Sequence, residues 1–237
     1  IKNGWFLKSL SLCLLLASLG GCKKFLDQAT ENSLTRNEFF KTEADANAAV
    51  TGVYDALQAC AVQFLQWGEF RADLIASNNA LDPIYLQSFE NTNSISNWAN
   101  AYKVIGRANI VIEKVPDIPA LDRRFTVEES KEIVGEALFL RSLVYFYLVR
   151  VFKEVPLVLE APSSDAVDFL KPKVSADSLL NQIERDLAIA EQDLPIDRGR
   201  NTDTRGRATK AAVNALQADV YLWRAKYTEA AATAKKV

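Results

Sequence analysis

Hydrophobic residues recur at helical spacing through most of the chain, while the strict alternation that favours β-strands is scarce. The first clear stripe occupies the i, i+3, i+4 and i+7 positions that share one face of a helix. It consists of Ala46, Ala49, Val50, Val53, Tyr54 and Leu57. Cys60 extends the stripe, and we expect it to be a small buried side chain. This pattern predicts a predominantly α-helical chain.

Similar periodicity predicts further helices along the rest of the chain. They cover residues 64–75, 95–115, 127–152 and 179–194, and a final helix pair begins near Ala208 and breaks between Ala225 and Tyr227. The residues from 138 to 151 are apolar enough to predict burial between neighbouring helices. An Asn-rich stretch at 77–97 has no regular pattern, and residues 155–159 are typical of an extended segment.

Polar residues indicate where some helices begin and which polar side chain is buried. Thr35 with Glu38, and Thr126 with Glu129, have the spacing of capping boxes, in which each side chain bonds the backbone of the other residue. Asn109 lies on the apolar stripe of the 95–115 helix. We therefore expect Asn109 to be a buried hydrogen-bonding residue rather than a ligand contact.

Small and aromatic residues near the end of the chain lie at offsets that resemble a tetratricopeptide repeat, in which small side chains let paired helices pack closely. These residues are Ala218, Tyr221, Tyr227 and Ala230. The segment 136–152 offers another such helix through Ala137 and Tyr145, although a strict period of about 34 residues is not visible. The sequence therefore predicts an all-α fold with a tetratricopeptide-like helical repeat scaffold.

The first 21 residues have the three parts of a secretory signal: a basic start with Lys2 and Lys8, an apolar stretch from 10 to 19, and small residues before Cys22. The apolar stretch is shorter than the roughly 20 residues that a membrane-spanning helix needs. The run Leu19-Gly20-Gly21-Cys22 resembles a bacterial lipobox. We therefore predict a signal peptide over residues 1–21 and acylation of Cys22, the alternative being ordinary cleavage before a structural cysteine.

The net charge and the cysteine content of the chain bear on its partners and on its disulfide bonds. Removal of Lys2 and Lys8 with the signal changes the formal charge from −2 to −4, and nothing in this balance indicates a nucleic-acid partner. With Cys13 removed and Cys22 acylated, Cys60 has no partner for an intramolecular disulfide.

The chain starts at Ile1 and stops inside a helical pattern at Val237. We expect it to be a fragment, truncated at its C-terminal end.

Several segments, taken in order, resemble the SusD/RagB family of Bacteroidetes outer-membrane glycan-binding lipoproteins. The likeness begins at Cys22 with the Phe-Leu-Asp motif of residues 25–27 and ends at Val220-Tyr221-Leu222. Between them it runs through residues 34–35, 39–46, 49–54, 135–141, 145–149, 155–157 and 207–212. The order of these segments is more specific than any one motif, and residues 22–237 are interpreted as the N-terminal α-helical part of such a protein.

The resemblance implies a helical scaffold and a role in nutrient capture. Family members bind oligosaccharides at the cell surface, lie as a lid on a SusC-like TonB-dependent transporter, and hand over their ligand without chemistry. They are also longer than this chain. The expected partners are accordingly an oligosaccharide, a SusC-like transporter and the outer membrane through the lipid anchor, with no cofactor.

Residues suited to sugar recognition are concentrated between positions 67 and 98. Aromatic rings stack on pyranose rings, while amide, carboxylate and guanidinium groups bond hydroxyls. The candidate ligand-binding residues are Trp67, Arg71, Asp73, Asn78, Asn79, Tyr85 and Trp98. The segment is also the least regular part of the chain, and functional residues are concentrated on loops.

Five of the seven candidates also have a purely structural interpretation. Trp67 and Trp98 lie on helical stripes and suit the role of core anchors, as Tyr85 does. Asn78 and Asn79 suit a turn. No family motif transfers ligand residues to these positions, so both interpretations stay open at this point.

Catalytic and nucleotide-binding patterns are weak. The chain contains no histidine, which excludes Ser-His-Asp and Cys-His arrangements within it and leaves a zinc site only carboxylates and one cysteine. Residues 197–207 are rich in arginine but contain interleaved aspartates and lack the Lys-Ser/Thr end of a P-loop, so we interpret them as a solvated connector. Glycoside hydrolysis needs a pair of carboxylates at a defined separation, and the sequence singles out no two acidic residues for it.

The sequence therefore favours a non-enzymatic, lipid-anchored outer-membrane protein that captures a glycan for a transporter. An interaction scaffold, whose tetratricopeptide-type helices hold a protein partner without sugar binding, is the alternative.

Overall fold

A computed structural model describes residues 36–72, 74, 86, 88, 90, 93–161, 170–199 and 201–237. The chain divides into two compact units, Ile1–Phe39 and Phe40–Val237. In the first unit the described part is one helical turn, α1 (Arg36–Phe39). Cys22, Thr35 and the predicted signal sequence lie outside the described residues.

The second unit is built from helices in the described parts of the chain. Their bounds are α2 (Glu43–Gln58), α3 (Ala61–Leu65), α4 (Ala99–Lys114), α5 (Val127–Phe152), α6 (Ala176–Asp193), α7 (Asn201–Gly206), α8 (Lys210–Trp223) and α9 (Tyr227–Ala234). A π-helical turn, Gln66–Phe70, continues α3, and 3-10 turns cover Ser94–Ser96 and Val115–Ala120. Strands β1 (Val155–Pro156) and β2 (Lys173–Val174) pair antiparallel.

The central element is α5, a helix of 26 residues that packs against α2, α4, α6 and α8. Because neighbours surround it, its buried residues face several directions, as the apolar run from 138 to 151 predicted. Helix α6 packs against both α5 and α8, and α8 with α9 forms a helical hairpin. The prediction of an all-α, tetratricopeptide-like fold is confirmed.

Side-chain caps fix the starts of helices α2, α5, α6 and α8. At α5, Thr126 accepts a hydrogen bond from the Glu129 amide, and the Glu129 side chain bonds the Thr126 amide, which confirms the predicted capping box. A second box, Thr42 with Asp45, starts α2 and was not recognised in the sequence. Such caps stabilise a helix by satisfying amides that have no partner within it.

Two predicted helix boundaries are wrong. The helix expected over 64–75 begins at Ala61, changes to π-helical geometry at Gln66 and ends at Phe70. The helix expected from residue 95 begins at Ala99, because residues 94–96 form a separate 3-10 turn in which Asn93 accepts a hydrogen bond from the Ile95 amide. Apolar spacing continued across both boundaries, so periodicity alone did not reveal them.

The extended segment at 155–161 is held by polar side chains from α4 and α5. Tyr102 donates to the Pro156 carbonyl at 2.6 Å, and the Val158 amide donates to the Tyr145 hydroxyl at 2.8 Å. Asn109 donates to the carbonyls of Val158 and Glu160 at 2.9 and 3.2 Å. The prediction that Asn109 is a buried hydrogen-bonding residue is confirmed.

A buried ion pair joins α5 to α6. Arg141 donates from Nε and Nη2 to the two carboxylate oxygens of Asp186, both at 2.9 Å, and from Nη1 to Asn109 at 2.7 Å. The Arg141 and Asp186 side chains are 5% and 4% exposed. Burial raises the pKa of Asp186, against the lowering effect of Arg141.

A second buried cluster surrounds Glu136 of α5, which is fully buried. Its carboxylate accepts hydrogen bonds from Nε and Nη2 of Arg207 at 2.9 and 2.7 Å and from the Tyr54 hydroxyl at 2.7 Å. Arg198 lies 3.1 Å from the same carboxylate. The interpretation of 197–207 as a solvated connector is therefore wrong for Arg198 and Arg207, which pair with a buried acid, whereas Asp197, Gly199 and Arg205 are exposed.

Cys60 follows the end of α2 and is fully buried, as expected. Burial raises the pKa of its thiol to about 11, so it stays protonated at neutral pH. In the described part of the chain, no individual helix has the length and apolar character needed to cross a membrane, although the bent pair Glu43–Gln58 with Ala61–Phe70 meets that test by length and composition.

Candidate functional site

Aromatic side chains from three parts of the chain meet near the start of α4. Trp98 caps the N-terminal end of α4, Phe152 is the last residue of α5, and Trp67 lies in the π-helical turn. The rings of Trp98 and Phe152 meet edge to face at 5.3 Å, and those of Trp67 and Phe152 at 5.4 Å. Such contacts hold the Trp98 ring in a defined position.

The two candidate tryptophans differ in their exposure. Trp67 is 4% exposed, and its indole donates to the Ile95 carbonyl at 2.7 Å. That is the environment of a core anchor, which was the structural interpretation of this residue. Trp98 is partly exposed and borders a cleft. Trp67 therefore supports the Phe152 ring from the interior, and Phe152 in turn contacts Trp98.

The cleft beside Trp98 has a volume of about 650 Å³. Its walls come from the turn before α4, the end of α5 and strand β2. The lining residues are Ser96, Asn97, Trp98, Ala99, Val151, Phe152 and Lys173. This set combines aromatic surface with hydroxyl, amide and ammonium groups, the mixture that orients small polar ligands in preformed sites.

Lys173 reaches this cleft from β2. Its ammonium nitrogen lies 5.6 Å from the centroid of the Trp98 ring, within the range of a cation–π interaction. The backbone of β2 is held by pairing with β1, where Pro156 lies opposite Lys173. The polar anchoring of β1 by Tyr102 thus also sets the position of Lys173 beside the ring.

Two polar atoms at the cleft are buried and have no hydrogen-bond partner among the described residues: the Trp98 indole nitrogen and the Ser96 hydroxyl oxygen. A buried polar group without a partner costs about 1–3 kcal/mol relative to a satisfied one. Native proteins keep few such groups, and each requires an explanation. Both groups are hydrogen-bond donors for which the described residues supply no acceptor.

A smaller cleft of about 250 Å³ adjoins the first and shares Asn97 and Ala99 with it. Its lining is rich in amides: Ala59, Val62, Gln63, Gln66, Ser94, Asn97, Ala99 and Asn100. Gln63 donates to the Asn97 carbonyl at 2.6 Å, and Asn100 donates to the Ala59 carbonyl at 3.3 Å. The two clefts together form a polar and aromatic surface around the 94–100 turn.

Among the other predicted ligand-binding residues, the structure describes Arg71 alone. Arg71 is a partly exposed turn residue directly after the π-helical turn. Asp73, Asn78, Asn79 and Tyr85 lie outside the described residues.

The sequence did not single out Phe152 or Lys173. The pairing of β1 with β2 brings Lys173 to Trp98, and no local pattern indicates which short segments will pair.

Metal chemistry has no evident basis in the described residues, since no group of three or more His, Cys, Asp or Glu side chains there is arranged to hold a metal ion.

Comparison with known proteins identifies similar chains along most of the length. Residues 24–222 match a family model described as SusD-like, starch-binding and associating with the outer membrane. SusD-like protein P38 of Formosa agariphila is 33% identical over 237 residues, which cover 93% of this chain and 43% of the relative. A SusD-like protein of Bacteroides ovatus is 27% identical over 232 residues, which cover 92% of this chain and 40% of the relative.

Solved structures are similar over most of the chain. A SusD superfamily protein of Bacteroides thetaiotaomicron superposes with a TM-score of 0.71 at 26% identity, covering 82% of this chain and 46% of that one. A laminarin-binding SusD-like protein superposes with a TM-score of 0.67 at 29% identity, covering 82% of this chain and 43% of that one. The chain thus spans less than half the length of these relatives.

Proposed function

Because this chain belongs to the SusD-like family, whose model it matches over residues 24–222, we propose that the protein binds an oligosaccharide and delivers it to a SusC-like TonB-dependent outer-membrane transporter. The family is described as starch-binding and outer-membrane-associated. No reaction is part of this function: the ligand is captured and handed over unchanged.

The cleft beside Trp98 is the observation that carries the binding part of the proposal. It holds an aromatic ring fixed by its neighbours, with amide and hydroxyl groups next to it. The apolar faces of a sugar ring pack on aromatic surface, and its hydroxyls need donors and acceptors at the same place. The laminarin-binding relative, which shares this fold, supports a carbohydrate as the ligand class.

Trp98→Ala is expected to weaken polysaccharide binding by about tenfold or more, the effect of losing about 1.4 kcal/mol. Native affinity electrophoresis of the full-length protein in gels that contain laminarin, amylose, xylan, pectin or alginate measures this effect. Trp223→Ala is the matched control, since Trp223 is an exposed tryptophan on α8 that does not line either cleft. Thermal unfolding of both variants shows whether folding is retained, and Trp98→Phe should restore part of the binding.

Unchanged affinity of the folded Trp98→Ala variant for every bound polysaccharide would place the ligand elsewhere. If the protein binds none of them, the capture function itself fails.

The lipid anchor and the transporter form the second part of the proposal. Acylation of Cys22 would tether the helical domain to the outer membrane beside its transporter, since burial of acyl chains stabilises attachment by about 0.8 kcal/mol per methylene. We expect Cys22→Ala to release the protein from the membrane fraction. We also expect the wild-type protein to co-purify with a TonB-dependent transporter after mild detergent extraction.

Fractionation by ultracentrifugation and mass spectrometry of the purified complex measure these two outcomes. A Cys22→Ala variant that stays in the membrane fraction would contradict the lipid anchor. A purification that contains a partner other than a transporter and shows no carbohydrate dependence would favour an interaction scaffold instead.

A further inference from the structure

Lys173 is the only charged residue among those that line the cleft beside Trp98 in the described part of the chain. It is exposed, and its ammonium nitrogen lies 5.6 Å from the Trp98 ring centroid. A ligand that packs in this cleft therefore brings its ring substituents close to a positive charge. The nature of those substituents decides whether the contact is favourable.

A nearby lysine shows how this position differs from an ordinary surface lysine. Lys171 lies 3.5 Å from the Glu160 carboxylate, so its charge is matched within the protein. Lys173 has no carboxylate within ion-pair distance among the described residues, and its described interaction is with the Trp98 ring. The cleft thus presents a cation that is exposed to solvent and whose charge no described acidic side chain balances.

Ligand binding changes the solvation of the Lys173 ammonium group. A neutral sugar in the cleft removes water from the ammonium group without returning a negative charge, which opposes binding. A carboxylate or sulfate at the same place replaces the water with a charge-assisted hydrogen bond. The free-energy difference between the two cases favours an anionic sugar, and it is larger when the contact is partly shielded from solvent.

We propose that the cleft prefers an oligosaccharide with an anionic sugar unit, a uronate or a sulfated sugar, and that Lys173 is the residue that determines this preference. The proposal rests on the proposed function, because it requires that a glycan binds beside Trp98. Uronate and sulfate share the relevant chemistry, and the experiment separates them.

The experiment compares each acidic polysaccharide with its own neutral form. Native affinity electrophoresis of the full-length protein uses polygalacturonate and alginate against their carboxyl-reduced forms, and carrageenan and fucoidan against their desulfated forms. Laminarin and amylose serve as neutral references. For at least one pair we expect the acidic form to bind about fivefold more tightly, the size of an exposed ion pair. The difference should shrink as salt is added.

Substitutions at position 173 test whether Lys173 causes the preference for the acidic form. Lys173→Gln should abolish the difference within the pair while binding of the neutral form persists, and Lys173→Arg should retain the difference. Lys171→Gln removes the same charge from a lysine two positions away that is paired with Glu160, and it should leave the preference intact.

The outcomes separate the two proposals. Equal binding of acidic and neutral forms, together with Trp98-dependent binding of any polysaccharide, would overturn the charge preference and leave glycan capture in place. A preference that Lys173→Gln does not alter would also overturn the role of Lys173. Absence of binding to every polysaccharide would overturn both.

Discussion

Replacement of Arg141 by methionine is expected to lower the free energy of unfolding by about 4 kcal/mol. Methionine keeps much of the side-chain volume but removes the charge, so Asp186 remains buried at 4% exposure without its ion-pair partner. Asn109 also loses the hydrogen bond that it accepts from Arg141. Urea denaturation of the full-length protein, followed by far-ultraviolet circular dichroism, measures the loss.

The effect should depend on pH in a defined direction. Burial already raises the pKa of Asp186, and removal of the arginine raises it further. A carboxyl group whose pKa is higher in the folded state stabilises that state at low pH, and this contribution is lost as the pH rises through the folded-state pKa. The destabilisation of Arg141→Met should therefore be smaller near about pH 4 than near about pH 8.

Two further variants make the result specific to the buried pair. Arg141→Met combined with Asp186→Leu should recover much of the stability, because an apolar pair avoids the cost of an unpaired buried charge. Asp219→Asn breaks the exposed pair with Arg150, which spans 3.2 Å, and should cost less than about 1 kcal/mol. A loss below that value for Arg141→Met would contradict the structural role of the pair.

Replacement of Glu136 by glutamine is expected to cost about 3 kcal/mol. The change keeps the shape of the side chain but removes the negative charge from a fully buried position. Arg198 and Arg207, whose side chains are 10% and 30% exposed, then lose the charge that they share. The partial exposure of Arg207 is the reason for a smaller expected loss than at Arg141.

The measurement combines denaturation with amide hydrogen exchange. Loss of the Glu136 charge should increase exchange in the 198–208 segment more than in α6, since Glu136 bonds both Arg207 and the Tyr54 hydroxyl, which in turn accepts from the Ala208 amide. Glu132→Gln is the control: Glu132 lies 3.8 Å from Arg198 but is 39% exposed. Equal effects of the two substitutions would show that burial of the cluster does not matter.

These two clusters also show where sequence reasoning succeeds and where it fails. Apolar spacing and the Thr126–Glu129 box were sufficient to predict α5 with its bounds, because both signals are local. The role of Arg207 was missed because its partner Glu136 is 71 positions away in the chain. Arginines interleaved with aspartates resemble a solvated surface unless the long-range partner is known.

For the candidate site, too, sequence reasoning identified some residues correctly and missed others. The aromatic residues Trp67 and Trp98 were both recognised, but the sequence could not distinguish the buried ring from the ring that borders a cleft. That difference arises because α4 starts at Ala99 and leaves Trp98 at its end, whereas Trp67 is enclosed against Phe152 and Ile95. Lys173 joins the site only through the pairing of β1 with β2, which the sequence does not specify.

The extended segment after α5 has a consequence for how such a protein evolves. Tyr102, Asn109 and Tyr145 hold the segment through its main-chain atoms at Pro156, Val158 and Glu160. Carbonyl groups are present whatever the amino acid, so side chains along the segment can be exchanged by mutation without loss of its attachment. The paired strand that carries Lys173 then keeps its place beside Trp98, and selection can alter the proposed ligand preference there while the helical core stays constant.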